Sequence, residues 1–291
     1  MARILPWLWF PLIFGGSMIG GLLLVGRGHD AAVVAGFNLA AVPVLALLER
    51  RVPYEPDWNR ARGDVRTDVL HMLLSTVAMP EVIRALVFGS LAAAGAWLSA
   101  RWGLGLWPTS WPLLAQWALA MVVSELGQYW MHRGMHETEA LWRLHAVHHS
   151  AERLYWLNAG RFHPLDTLFN FTLQAGPLIL LGAPGDVIAL FALFTGVHGL
   201  MQHANVDVRL GPLNWIFSMA EPHRWHHSRV LAESNTNYGA NLICWDIVFG
   251  TRKVPTDREP PRAPGFEGVE AFPKGYLGQL ASPVTFFRGG D

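Results

Sequence analysis

Residues 4–26 read ILPWLWFPLIFGGSMIGGLLLVG and carry no charged side chain over 23 positions. A helix of about 20 apolar residues crosses the hydrocarbon core of a bilayer, so this stretch predicts a membrane span. A cleavable signal sequence is the alternative, because Arg3 precedes the run, but the run is too long and no cleavage site with small residues follows it. A second uncharged run, residues 31–48, follows a short turn, and the two runs predict a helical hairpin.

Apolar and polar stretches continue to alternate along the chain. Residues 69–100 and 104–131 predict two further crossings, whereas residues 168–202 are broken at GAPGD (182–186) into short halves that favour a tilted or re-entrant hairpin. The polar segment 49–68 is predicted to be cytoplasmic by the positive-inside rule, because it carries five arginines: Arg50, Arg51, Arg60, Arg62 and Arg66. The predicted fold is all-α, a polytopic membrane helical bundle with a cytoplasmic histidine-rich helical cap.

The composition excludes several classes of protein. Apolar residues make up 52% of the chain and charged residues 15%, against roughly 25% charged residues in soluble domains. The 22 basic and 22 acidic residues balance, so no net charge attracts nucleic acid. Cys244 is the one cysteine, which excludes a disulfide scaffold and thiolate-rich metal sites.

Histidines are concentrated in one part of the chain. Eleven of the 13 lie between His132 and His227, where an even spread would place about four. Three groups have helical spacing: HRGMH (132–136), HAVHH (145–149) and HRWHH (223–227), with His163, His198 and His203 between them. Positions i, i+3 and i+4 share one helix face, so such groups converge on a metal ion without distorting the backbone.

Eight imidazoles in these three groups exceed the four to six ligands of one ion and fit two ions. Imidazole suits Zn, Cu, Fe and Ni, so the residue type alone leaves the metal open. No HExxH sequence of a zincin protease occurs, and neither does the Glu-x-x-His pair of soluble di-iron bundles. A bis-histidine haem site needs single histidines deep in apolar helices, a setting that His198 alone has.

At these residues the sequence resembles the fatty acid hydroxylase superfamily, also called the sterol desaturase family, whose members are integral membrane non-haem di-iron enzymes. The motifs HxxxH, HxxHH and a later HxxHH are present in order. The likeness extends to LWRLHAVHHS (141–150), RFHP (161–164), HANV (203–206), GPL (211–213), NYG (237–239), WD (245–246) and FGT (249–251). It covers residues 120–252 strongly and residues 49–71 more loosely.

The resemblance implies a set of metal ligands. These are His132, His136, His145, His148, His149, His223, His226 and His227, with His203 as a ninth. His163 and His198 are candidate ligands or hydrogen-bond partners of ligands, whereas His29 and His71 are expected to be surface or interfacial residues. The candidate carboxylate partners of the ligands are Glu125, Glu137, Asp166, Glu221 and Asp246.

The resemblance also implies a function. Two Fe ions and O2 as co-substrate would hydroxylate or desaturate a C–H bond of a bilayer lipid: a sterol, a fatty-acyl chain, a carotenoid or an ether lipid. A separate electron donor, a ferredoxin or a cytochrome b5-like protein, is expected, since the chain has no flavin or dinucleotide fingerprint. The alternative is a transition-metal transporter or a metal-sensing membrane protein. The expected organisation is N-terminal membrane helices with a basic cytoplasmic loop (1–118), a di-iron catalytic domain (119–252) and a polar, Pro-rich cytoplasmic tail (253–291).

Overall fold

The computed structural model describes residues 4–103 and 105–286, and this part of the chain is helical, without a strand beyond two isolated bridges. The helices are α1 (Leu5–Leu24), α2 (Asp30–Arg51), α3 (Val65–Trp102), α4 (Leu113–Glu137), α5 (Glu139–His149), α6 (Pro164–Leu181), α7 (Gly185–His203), α8 (Ala220–His226), α9 (Leu231–Ser234), α10 (Cys244–Val248) and α11 (Tyr276–Thr285). Short 3-10 helices at Pro56–Asn59, Trp156–Gly160, Gly211–Trp215 and Val269–Ala271 lie in the connections. The predicted all-α class is confirmed.

Four helices in the described residues, α1, α2, α3 and α7, are long and apolar enough to cross a bilayer. The first two match the predicted hairpin. Leu104, the predicted start of another span, lies outside the described residues; the helix that follows, α4, begins at Leu113 and is not among the four candidates. Since α1–α3 keep most of their side chains exposed, they present an apolar surface to lipid.

The region predicted as a re-entrant hairpin forms two full helices, α6 and α7. The apolar run was expected to begin at residue 168, but α6 begins at Pro164, where His163 caps its N-terminus through the Leu165 N–H. A turn at Gly182 (φ 77°) separates the two helices. With 19 residues α7 is about 28 Å long, enough for a full crossing. The prediction was too short because it counted apolar residues and left out the polar ends.

Glycines allow close packing of α6 against its neighbours. A Cβ added at Gly127 of α4 would lie 2.5 Å from the Leu173 carbonyl oxygen, and one at Gly95 of α3 would lie 2.1 Å from the Leu180 carbonyl oxygen. Small residues permit such backbone approach between membrane helices, where dispersion contacts rather than water exclusion drive association. These contacts fix α6 between α3 and α4.

Helix ends meet at one end of the bundle and form a cap. Glu49 at the end of α2 accepts hydrogen bonds from the backbone N–H groups of Trp156 and Asn205. Asp68 near the start of α3 forms an ion pair with Arg161, 2.6 Å apart, and both side chains are buried. The cap is therefore attached to the spans by buried carboxylates, which suits an environment without competing water.

The C-terminal tail is not only polar. Phe266, Val269 and Phe272 pack on Trp142 of α5 in a buried apolar cluster. The Gly265 N–H donates to the His227 carbonyl oxygen at 3.0 Å. The tail thus covers the side of the cap where α5 and α8 carry their histidines.

Candidate metal centre

Four helices bring nine buried histidines together in the cap. Group one consists of His132, His136, His145, His149 and His226, and group two of His148, His203, His223 and His227. In each group one nitrogen per ring lies within 4.8 Å of those of all other members. The rings of His149 and His227 stack with centroids 4.4 Å apart, so the two groups adjoin.

Each HxxHH motif contributes to both groups. His145 and His149 of α5 point to group one, and His148 between them points to group two. In the motif at α8 the assignment is reversed: His223 and His227 belong to group two, and His226 between them belongs to group one. Residues four apart on a helix differ by about 40° in direction, whereas the i+3 residue is turned about 60° the other way. The HxxHH spacing therefore directs the three imidazoles of one motif towards two adjacent positions, one in each histidine group.

Facing ring nitrogens approach each other closely in both groups. The Nε2 atoms of His132 and His145 are 3.0 Å apart in group one. In group two, Nε2 of His223 lies 2.8 Å from that of His203 and 3.1 Å from that of His227. Two nitrogens that bind one ion at about 2.1 Å are roughly 3 Å apart when they subtend a right angle there. The observed spacing suits neighbouring ligands of a shared ion.

Hydrogen bonds from Nδ1 orient four of the five rings of group one. Nδ1 of His132 donates to the Tyr238 carbonyl oxygen at 2.7 Å, and Nδ1 of His226 donates to the Thr236 carbonyl oxygen at 2.8 Å. The remaining Nδ1 contacts are His136 with Asn235 Oδ1 (3.2 Å) and His145 with Asp166 Oδ2 (2.7 Å). An acceptor at Nδ1 fixes the tautomer and leaves the Nε2 lone pair free for a metal.

Group two is oriented in the same manner at two of its rings. Nδ1 of His148 donates to the Arg161 carbonyl oxygen at 3.3 Å, and Nδ1 of His203 donates to Asn158 Oδ1 at 3.0 Å. Several buried nitrogens in group one have no protein partner: Nε2 of His136, Nε2 of His226 and both nitrogens of His149. Buried polar atoms are satisfied in native proteins, so these orphaned atoms, together with the all-imidazole donor set, fit bound metal.

Burial lowers the pKa of several rings in the two groups. Burial, and then neighbouring imidazoles, lower the pKa of His148, His149 and His227 well below the ordinary value. Burial likewise lowers the pKa of His226 to about 3. A neutral imidazole is the form that binds a metal ion.

Asp166 is the carboxylate that contacts a predicted ligand directly. It is fully buried, and its other oxygen accepts a hydrogen bond from Asn170 Nδ2 at 2.6 Å. No arginine or lysine pairs with it in the described residues. A buried carboxylate whose contacts are a histidine and an amide is stabilised by positive charge placed beyond that histidine.

Two further predicted carboxylates hold the loop that supports His132. Asp246 accepts hydrogen bonds from the N–H groups of Tyr238 and Gly239, both at 2.8 Å. Glu125 accepts from the backbone and side chain of Asn241. These carboxylates act on the Tyr238 carbonyl that binds His132 rather than on a ring.

The other candidates lie outside both groups. His163 caps α6, and its Nε2 contacts the Leu280 carbonyl oxygen at 3.2 Å. His198 is buried between Phe14 and Phe194. Glu137 pairs with Arg133 at 2.8 Å, and Glu221 accepts from Asn214 at 2.6 Å.

Sequence reasoning missed most of the groups that orient the ligands. Asn158 and Asn235 were not identified, since isolated asparagines carry no distinctive spacing. The carbonyl acceptors of Arg161 and Tyr238 lie in segments noted for family likeness, RFHP and NYG, which was the one available signal.

The fold and these histidines define a class: helical membrane proteins with two adjoining buried histidine groups, each able to hold a metal ion. A family model described as fatty acid hydroxylase matches residues 117–251. An ornithine lipid hydroxylase of Rhizobium tropici is 43% identical over 85% of this chain and 74% of its own length. The chain belongs to the fatty acid hydroxylase family, as predicted, and is an oxidoreductase.

Other relatives match over shorter regions. Alkylglycerol monooxygenase of Homo sapiens is 31% identical over 52% of this chain and 33% of its own length. Methylsterol monooxygenase 1 of Rattus norvegicus is 28% identical over 50% of this chain and 51% of its own length. No solved structure matches the chain.

Proposed function

We propose that this protein is a di-iron hydroxylase of a membrane lipid whose histidine cap faces the cytoplasm. The single observation that carries the proposal is the convergence of buried Nε2 atoms, 2.8–3.1 Å apart, in two adjoining groups. Group one and group two would hold one ion each, with all nine histidines as ligands. Membership of the family supports iron as the metal.

Bound in these groups, the iron pair supplies activation of O2 and oxidation of a C–H bond. The protein's own residues supply position. Asp166 and the carbonyl oxygens of Tyr238 and Thr236 accept the Nδ1 protons, so each ring presents Nε2 inward. The tail that packs on Trp142 covers one side and excludes water from the groups.

An ornithine lipid is the first candidate substrate. The ornithine lipid hydroxylase matches 85% of this chain, whereas the alkylglycerol and methylsterol monooxygenases match about half. All three names describe insertion of oxygen, which favours hydroxylation over desaturation. The exposed apolar faces of α1–α3 allow a lipid to approach from the bilayer.

The electrons would come from a separate donor, a ferredoxin or a cytochrome b5-like protein. Exposed arginines surround the polar loop beside the cap: Arg50, Arg51, Arg60 and Arg66. Such a basic surface attracts an acidic donor and, by the positive-inside rule, supports a cytoplasmic position.

Metal content tests the proposal. We expect close to two iron atoms per chain in detergent-purified wild type after iron-replete expression, measured by mass spectrometry. His226→Ala removes a ligand of group one and His227→Ala a ligand of group two, so each should lower the iron content. His29→Ala, at an exposed turn, is the matched control and should keep it.

Oxygen uptake separates the enzyme from a metal transporter. With a reductant, a donor protein and an ornithine lipid, the wild type should consume O2 and form a product heavier by one oxygen. A chain that binds one ion or none, or that moves iron across vesicles without consuming O2, would contradict the proposal.

A further inference from the structure

A cavity of about 520 Å³ lies on the other side of α8 from the histidine groups. Glu221 and Arg224, three positions apart on α8, both line it. His223, His226 and His227 point the other way, because the helical period places them on the opposite face. The cavity and the histidine groups therefore lie on opposite faces of α8, a helix about 10 Å in diameter.

Charges of both signs line this cavity in equal number. Its acidic side chains are Asp207, Glu221 and Glu259, and its basic side chains are Arg209, Arg224 and Arg252. A net anion such as free phosphate needs an excess of cations, which the balanced lining does not provide. A ligand that carries one positive and one negative charge matches the lining.

Two buried atoms at the cavity have no protein partner, and they are of opposite hydrogen-bonding type. Arg224 is 2% exposed, and its Nε is an unpaired donor. Asn214 is 5% exposed, and its Oδ1 is an unpaired acceptor, while its Nδ2 donates to Glu221 at 2.6 Å. A carboxylate beside Arg224 and an ammonium group beside Asn214 would complement these two hydrogen-bonding types.

The cavity lies at the level where the first span begins. Trp7 of α1 lines it together with Trp215, and both indole rings are about half exposed. The loop that follows α7 is attached to α1, because the Arg209 N–H donates to the Pro6 carbonyl oxygen at 3.0 Å. Tryptophans concentrate at the headgroup level of a bilayer, so the opening faces lipid headgroups rather than bulk solvent.

We propose that this cavity binds the zwitterionic headgroup of a lipid, with its carboxylate at Arg224 and Arg252 and its ammonium group at Asn214, Glu221 and Glu259. The inference deepens the proposed function and rests on it for the identity of the lipid. Ornithine has one carboxyl and two amino groups, so acylation of one amine leaves this pair of charges. The headgroup would be fixed on the face of α8 opposite to the one that carries His223, His226 and His227.

Binding of short-chain probes tests the cavity without turnover. Titration calorimetry uses the iron-loaded full chain in detergent, without O2 or reductant. The probe N-octanoyl-ornithine carries both charges, N-octanoyl-norleucine replaces the ammonium group by a methyl, and N-octanoyl-ornithinamide lacks the carboxylate. We expect the first to bind at least about tenfold more tightly than either analogue, since each analogue lacks one of the two charges that the lining complements.

Variants of the lining residues test whether the cavity causes the preference for the ornithine probe. Glu221→Gln keeps the contact with Asn214 and removes the charge, so it should reduce the preference for the ornithine probe over the norleucine analogue about tenfold. Glu259→Gln, at the exposed rim, should reduce it about twofold to fivefold. Glu267→Gln is the matched control, because Glu267 is exposed and does not line the cavity.

Competition identifies the source of the headgroup. Displacement of the probe by an ornithine lipid, but not by phosphatidylethanolamine, would mark a substrate site, and displacement by both would mark a site for bilayer zwitterions. Equal binding of the three probes, or equal effects of Glu221→Gln and Glu267→Gln, would overturn the proposal. Iron content and O2 uptake of the same preparations report on the proposed function separately.

Discussion

Asp166→Asn tests the link between the buried carboxylate and the metal centre. The substitution keeps the side-chain volume and an acceptor for the His145 Nδ1–H, 2.7 Å away, but removes the negative charge. Loss of such a carboxylate partner lowers metal affinity about 10- to 100-fold, which corresponds to about 1.4–2.8 kcal/mol. His145 belongs to group one, so we expect the loss there and little change in group two.

The assay is iron retained per chain during dialysis against increasing concentrations of a chelator. Wild type should lose both ions over one range of chelator concentration. The variant should release one ion at a 10- to 100-fold lower chelator concentration and keep the other up to the wild-type range. Asp186→Asn, the same chemical change in the first turn of α7 at the end remote from the cap, is the control. Wild-type retention of both ions in Asp166→Asn would refute the reasoning.

Three further outcomes follow from the structure. Gly127→Ala should separate α4 from α6 at the Leu173 carbonyl and lower the detergent melting temperature by several degrees, whereas Gly89→Ala, with open space around it, should not. Asp68→Asn leaves the buried Arg161 guanidinium without its ion-pair partner and should cost about 3–5 kcal/mol of stability, measured by chemical unfolding; an unchanged midpoint would contradict the ion pair. Removal of metal by a chelator should lower the melting temperature and increase protease sensitivity of the cap, and iron should restore both; insensitivity to chelator would count against metal in the groups.

The histidine helices could be predicted from the sequence because their signal is local. An HxxHH spacing places its side chains on one side of a helix whatever the helix packs against. The spacing turns the i+3 imidazole away from the other two, but which group each imidazole joins was not predicted, since that depends on how α5 and α8 face each other. Asp166 was predicted only as one of five candidate carboxylates, and its contact with His145 was not predicted. A contact between two helices cannot be derived from the sequence of either segment alone.

Span lengths predicted from composition were less reliable than helix faces predicted from residue periodicity. The span α7 was underestimated because Gly185 and Asp186 were assigned to the break before it and its last residue, His203, is polar. A membrane helix accommodates a polar residue that points into the protein, and His203 is buried. His198 lies on that helix, five positions from His203, and the structure surrounds it with phenylalanine rings. The prediction that His198 lies in an apolar segment was correct. A single sequence, however, does not distinguish a histidine that packs against aromatic rings from one that lies beside a metal ion.

The tail that packs over α5 imposes an order on biogenesis. A ribosome releases the chain from its N-terminus, so every histidine of the two groups has been synthesised before Phe266 and Phe272 reach Trp142. During that interval the cap lacks its cover, and under the proposed function an iron ion would have its widest route of entry. Docking of the tail would then enclose the bound metal, and metal exchange would require the tail to detach. Docking of residues 266–272 on Trp142 would thus act as a closing step in maturation, and a variant without this contact would exchange metal faster rather than fail to bind it.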